Sequence, residues 1–87
     1  MLSKTVVIVN ELGLHARCAA RIAEIAAQAK SKVWLIRDGE QADAASILDM
    51  LMLFCPKDSQ IAVRVDDPRD VHVMDAIVKL IEQGFGE

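Results

Sequence analysis

Aromatic side chains are scarce in this chain: of 87 residues only Trp34, Phe54 and Phe85 are aromatic. With 53% hydrophobic residues, any core must therefore be built from Ala, Val, Ile, Leu and Met, and disorder is excluded as the default state. A basic excess is also missing. Ten Lys and Arg stand against thirteen Asp and Glu, for a net charge of −3, which argues against nucleic acid as a partner. No apolar run approaches the ~20 residues that cross a bilayer, and the N-terminus lacks a signal-peptide layout, so neither membrane insertion nor export is expected. The chain reads as cytoplasmic. Cys18 and Cys55 stand in no metal-ligand spacing and form no CxxC pair, so two reduced thiols are expected. There is no repeat, linker or low-complexity stretch. At this length one core is the expected limit, so residues 1–87 are taken as a single domain.

Residues 2–9 are rich in β-branched types and predict a strand. Ala19, Ile22, Ala23, Ala26 and Ala29 follow helical spacing and predict a helix over 16–29, with Arg17, Arg21, Glu24 and Gln28 on its wet side. Residues 32–37 predict a second strand. Asp38-Gly39 is a hairpin signal, and 40–44 would be the short return strand. Ser46, with Asp49 three residues on, approximates a capping box and opens a short helix over 47–54, closed by Pro56. Ile61, Val63 and Val65 alternate with Ala62 and Arg64, as in a strand with one buried face. Asp67-Pro68 starts the last helix, whose apolar stripe is Val71, Met74, Ile77, Val78 and Ile81, and Gly84 ends it. His72 falls on its polar side. The order β-α-β-β-α-β-α predicts an α+β open-faced sandwich: a four-stranded, mostly antiparallel sheet with helices on one face.

One stretch carries chemistry. Gly13-Leu14-His15-Ala16-Arg17 falls where the first strand gives way to the first helix. Imidazole is a nucleophile near neutral pH. First-turn amides of a helix have no backbone partner, and its N-terminal end carries roughly half a positive charge. Arg17 adds a guanidinium suited to phosphate oxygens. Together these describe an anion site with a nucleophile inside it, best matched to a phosphoryl group on the histidine. A lone histidine at a helix start is more often a capping or surface residue, so the spacing alone does not establish this chemistry.

The run Asn10-Glu11-Leu12-Gly13-Leu14-His15-Ala16-Arg17, followed by Cys18-Ala19-Ala20, resembles the active-site segment of the histidine-containing phosphocarrier (HPr) family of the bacterial phosphotransferase system. The likeness extends from Leu2 to Gly84 and includes Ser46-Ile47-Leu48 at the second helix start. It implies an open-faced β-sandwich and a protein substrate rather than an enzyme. It further implies that His15 accepts a phosphoryl group on Nδ1 from enzyme I, itself charged by phosphoenolpyruvate, and passes it to enzyme IIA components in sugar uptake. Arg17 would hold the phosphate, with the backbone amides of Ala16, Arg17 and Cys18. In part of the family the serine corresponding to Ser46 is phosphorylated by a dedicated kinase. Here Ala45 stands where a basic residue is common, and Asp43 and Asp49 would repel a phosphate. Neither metal nor organic cofactor is expected, and a monomer is.

Cys18 replaces the proline usual after the arginine. It restores an N–H and stands at a helix start beside Arg17, where a thiol pKa tends to fall, although a small apolar filler is the reading favoured for it over a redox role. The dense run Met50-Leu51-Met52-Leu53-Phe54 cannot all be buried on one short helix. Leu48, Leu51 and Met52 are therefore expected beside His15 on a docking face for both partners, with Arg17 and Arg21 as its polar component. Three other readings stay open: a nitrogen-type regulatory phosphocarrier, a regulatory module of the same fold without phosphotransfer, and a redox-responsive protein using Cys18.

Overall fold

The computed structural model describes residues 1–87. Strand β1 covers Leu2–Val7, helix α1 Ala16–Ala26, β2 Val33–Arg37, β3 Glu40–Asp43, α2 Ile47–Leu51, β4 Gln60–Val65 and α3 Val71–Glu82. The expected order of elements is observed. The sheet runs β1-β4-β2-β3, and all three pairings are antiparallel. The helices lie on one side of it. Because β4 lies between β1 and β2, those two strands run parallel without touching, and α1 crosses over the sheet to join them.

Period-two alternation decides which face is dry. Leu35, Ile61, Val63 and Val65 turn toward the helices and are at most 1% exposed. Cys18, Ala19, Ile22 and Ala26 of α1 and Val73, Met74, Ile77, Val78, Leu80 and Ile81 of α3 close over them. The core is aliphatic, as the shortage of aromatics requires. On the open face the Trp34 ring lies 5.6 Å from the Arg64 guanidinium, and its indole N–H reaches Asp66 at 3.2 Å.

Strands β1, β2 and β3 are one or two residues shorter than expected, and two helix ends and one helix phase differ for local reasons. Helix α1 stops at Ala26 rather than Ala29. Gln28 and Ala29 donate to Ile25 and Ala26, three residues back, which tightens the turn, and the amides of Lys30 and Ser31 donate to Asp70 at 2.8 and 3.0 Å. Helix α2 stops at Leu51 rather than Phe54, because Phe54 takes φ +53° and its carbonyl accepts from Arg37. Val71 is 41% exposed, while Val73 and Leu80 are buried in its place. A 3₁₀ turn over Pro68–Asp70 precedes α3 and sets its phase, leaving Val71 at the helix rim. The hairpin at Asp38-Gly39 has φ of +50° and +83°, as that dipeptide predicts.

Candidate functional site

After β1 the chain is strapped against the loop that leads into β4. The Ile8 amide donates to the Ser59 carbonyl at 2.9 Å, and the Asp58 amide donates to the Ile8 carbonyl at 2.7 Å. Gly13 then takes φ +69°, which lets the Leu14 amide reach the Cys55 carbonyl at 2.9 Å. A β-carbon on Gly13 would lie 2.5 Å from that carbonyl oxygen and 2.8 Å from Pro56 Cα. Only glycine permits this approach, and it fixes where the next residues go.

His15 is the N-cap of α1, with extended backbone (φ −92°, ψ 178°), and its ring makes no capping bond. The side chain is thereby released from the helix. Nε2 lies 2.6 Å from Glu87 Oε2 and 3.2 Å from Cys18 Sγ, while Nδ1 has no partner within the chain. A carboxylate accepts only, so the neutral ring carries its proton on Nε2 and its lone pair on Nδ1. The His15 side chain is 24% exposed. The amides of Ala16, Arg17 and Cys18 make no hydrogen bond within the chain, so the first turn keeps three free donors at its positive end.

Glu87 ties these groups together, although nothing near it in sequence marks it. Its Oε2 also accepts from Arg17 Nη2 at 2.8 Å, and its Oε1 accepts from Asn10 Nδ2 at 3.1 Å. Arg17, above all, then His15 and Asn10 hold the Glu87 carboxyl at about 2 against desolvation, so it is ionised at neutral pH. Asn10 is buried and also donates to the Gly13 carbonyl at 2.8 Å, bracing the loop and the carboxylate together.

Cys18 corrects one expectation. It is 1% exposed, and burial pushes its thiol up, outweighing the lowering effect of the His15 backbone and of Arg17. It lies as a small buried side chain beneath the histidine, with its thiol held above the ordinary value rather than below it. Arg21 is also engaged, since its Nη1 donates to the Phe85 carbonyl.

The apolar run divides between core and surface. Met50 and Leu53 are buried, Leu51 is half-buried, and Leu48, Met52 and Phe54 are 60–71% exposed. Leu51 lines a shallow hollow with Leu12, Leu14, Arg37, Phe54, Cys55 and Pro56, next in chain to His15. Met52 lines a different one with Arg37, Asp38 and Glu40. Ser46 caps α2, its Oγ accepting from the Asp49 amide at 3.2 Å. The return half of a capping box is missing, since the Asp49 carboxylate turns to the Asp43 amide at 3.4 Å.

Residues 2–83 match the family model described as "PTS HPr component phosphorylation site". The chain is 39% identical to the phosphocarrier protein HPr of Cupriavidus necator over 87 residues, all of this chain and 98% of that protein. It is 36% identical to the phosphocarrier protein NPr of Klebsiella oxytoca over 85 residues, 97% of this chain and 94% of that one. Its fold superposes on the crystal structure of HPr-C-His from Thermoanaerobacter tengcongensis with a TM-score of 0.92 at 31% identity, covering 100% and 98% of the two chains. With a family model matched over residues 2–83 and relatives at 36–39% identity along nearly their whole length, the chain belongs to the HPr family of phosphocarrier proteins of the phosphotransferase system.

Proposed function

We propose that His15 of this chain takes a phosphoryl group on Nδ1 from phospho-enzyme I, charged by phosphoenolpyruvate, and delivers it to an enzyme IIA component in sugar uptake. The observation that carries the proposal is the division of labour on the ring: Nε2 is held by Glu87 and Nδ1 is left with its lone pair. In the forward step that lone pair forms the new N–P bond while the bond from phosphorus to the donor histidine breaks, returning its electron pair to the donor. Positive charge develops on the His15 ring, and the Glu87 carboxylate on Nε2–H is placed to stabilise it. The equatorial oxygens gather charge in the transition state, which the amides of Ala16, Arg17 and Cys18 oppose. Arg17 has a side chain 74% exposed and is free to swing from Glu87 to the phosphate. A partly exposed site that holds its phosphate by a few donors suits a carrier, because the group must leave again. The protein does this in the cytoplasm as a substrate of its partners.

Enzyme I and enzyme IIA would dock on one face formed by Leu48, Leu51 and the Leu14 hollow together with Arg17. Arg21, tied to Phe85, and Met52, turned toward the Arg37–Glu40 hairpin, contribute at its margin. Ser46 acts in this reading as the cap of α2, with Asp43 and Asp49 opposing a phosphate from a serine kinase. The likeness to the Klebsiella oxytoca NPr favours one alternative, delivery to an enzyme IIA of nitrogen-type regulation. Transfer assays against both kinds of enzyme IIA separate the two by rate.

The test is phosphorylation by enzyme I and phosphoenolpyruvate. The parent should take up one acid-labile phosphoryl group with the phosphorus signature of Nδ1-phosphohistidine, and His15→Ala should take up none while keeping its circular dichroism. Label persisting on His15→Ala would refute the assignment.

A further inference from the structure

The carrier reading uses His15, Arg17 and backbone amides and leaves the Cys18 thiol without a task. Yet Cys18 Sγ, His15 Nε2 and a Glu87 carboxylate oxygen all lie within 4.8 Å of one another. We propose that these three groups form a binding site for a single Zn²⁺ ion, and that the bound ion switches phosphoryl acceptance off.

The donor set is one sulfur, one imidazole nitrogen and one carboxylate oxygen, each a donor type that zinc takes, with a fourth position left for water. Zn–S near 2.3 Å and Zn–N and Zn–O near 2.1 Å give tetrahedral ligand edges of about 3.4–3.6 Å. The corresponding separations in the protein are 2.6 Å (Nε2 to Oε2), 3.2 Å (Sγ to Nε2) and 3.8 Å (Sγ to Oε2). Two edges need to change by only about 0.2–0.4 Å. The third opens by about 0.8 Å once the Nε2 proton no longer bridges to the carboxylate. The ligands have different degrees of freedom to make that change. Sγ and the His15 backbone are fixed by α1, whereas Glu87 follows the Gly84–Gly86 turn and can move.

An outer layer of contacts is already in place. Asn10 Nδ2 donates to the other Glu87 oxygen at 3.1 Å and lies 3.8 Å from Cys18 Sγ, the two positions where a donor would steady a bound carboxylate and a thiolate. Access is provided by the His15 and Glu87 side chains, 24% and 23% exposed, above the buried sulfur. The site depends on Cys18 and would not exist with proline at that position.

The effect on phosphotransfer follows from proton bookkeeping, and this part rests on the carrier reading above. Zinc takes the Nε2 lone pair. The neutral ring must then carry its proton on Nδ1, and the pair that would attack phosphorus is gone. The Cys18 thiol proton leaves to solvent as the Zn–S bond forms. Nothing is oxidised or reduced, and a chelator reverses the process.

Cobalt(II) is the probe, since thiolate coordination gives it a near-ultraviolet charge-transfer band. The folded parent should bind one Co²⁺ with that band and release protons, and Zn²⁺ should bleach it. Cys55→Ala should behave as the parent. Cys18→Ala should lose the band and more than about 100-fold in zinc affinity, beyond what loss of an outer-layer contact costs. If Cys18→Ala fails to fold, Cys18→Ser and the ring nitrogens of the parent serve instead: nitrogen-15 spectra with Zn²⁺ should show Nε2 ligated and Nδ1 protonated. A parent without the band, or a band that survives Cys18→Ala or disappears with Cys55→Ala, overturns the site. Enzyme I-dependent labelling should fall at least tenfold with saturating Zn²⁺ and recover with chelator; binding without that fall overturns the switch. The metal titration needs no phosphotransfer, so failure there leaves the carrier reading standing. Failure of the parent to accept phosphate in metal-free buffer strikes that reading alone.

Discussion

Gly13→Ala should be among the most damaging single-methyl additions this fold can receive. The new β-carbon would sit 2.5 Å from the Cys55 carbonyl oxygen and 2.8 Å from Pro56 Cα. Both are backbone atoms, so no side chain can rotate away. Alanine at φ +69° costs about 1–2 kcal/mol in backbone strain. Overpacking of this kind costs about 1–3 kcal/mol more, and stretching the 2.9 Å bond from the Leu14 amide to Cys55 adds roughly 0.5–1.5 kcal/mol. Reduced freedom of the unfolded chain returns about 0.4–1 kcal/mol. The net loss is about 1.5–6 kcal/mol, a large part of the ~5–15 kcal/mol that holds a domain of this size together. At roughly 4–8 °C per kcal/mol, a 3 kcal/mol loss lowers Tm by about 12–24 °C. Gly39→Ala is the built-in control: its φ is +83°, but nothing lies within 4 Å of the added carbon, so only the backbone term applies. Equilibrium urea unfolding, followed by fluorescence of the single Trp34, measures both. Equal midpoints for the two variants would refute the argument that the approach of residues 13 and 55–56 is what demands glycine.

Other perturbations test the charges. Arg17→Ala should slow transfer from enzyme I about tenfold, the worth of a charged hydrogen bond after solvent screening, and a rapid-quench rate equal to the parent's would remove Arg17 from the mechanism. Asp70 is wholly buried and accepts from the amides of Lys30 and Ser31, so Asp70→Ala should cost about 2–5 kcal/mol by orphaning both, with Asp70→Asn costing less; a urea midpoint unchanged in Asp70→Ala would show that water replaces the carboxylate. Glu87 is held at about 2 in the folded chain against 4.5 ordinarily, so its contribution is complete above pH 4.5 and is lost as pH falls toward 2. Parent minus Glu87→Gln stability should therefore decline over that window, and a flat difference would mean that the Arg17 and His15 contacts do not persist in solution.

What could be read from sequence was what is local. Period-two and period-3.6 patterns placed the strands and helices, the Asp38-Gly39 pair placed the hairpin, and Gly13 to Arg17 placed the histidine at a helix start. Hidden from it were contacts made across long stretches of chain. Glu87 meets His15 from 72 positions away, and Asp70 reaches Lys30 from 40. No periodicity encodes either. The Cys18 error has the same origin. Its neighbours in sequence, His15 and Arg17, lower a thiol pKa, but the packing of distant segments buries it and raises it. Val71 was misplaced because a 3₁₀ turn before α3 shifts the helix phase, which a count at 3.6 residues per turn does not register.

The position of β4 has a kinetic consequence. It is the last strand to leave the ribosome, yet it lies inside the sheet, paired on one side with β1 and on the other with β2. Until residue 65 is available, β1 has no neighbour and α1 has no floor to pack on. The pairing of Leu2 with Val65 closes a long loop, so folding should be slow for a domain of this size and should begin in the locally paired β2–β3 hairpin. His15 is synthesised early, but its neighbours Cys55 and Glu87 arrive only with the second half of the chain. A nascent or partly folded chain thus carries the histidine without the Glu87 carboxylate and the Cys55 loop that surround it, and that environment comes into being only when folding is finished.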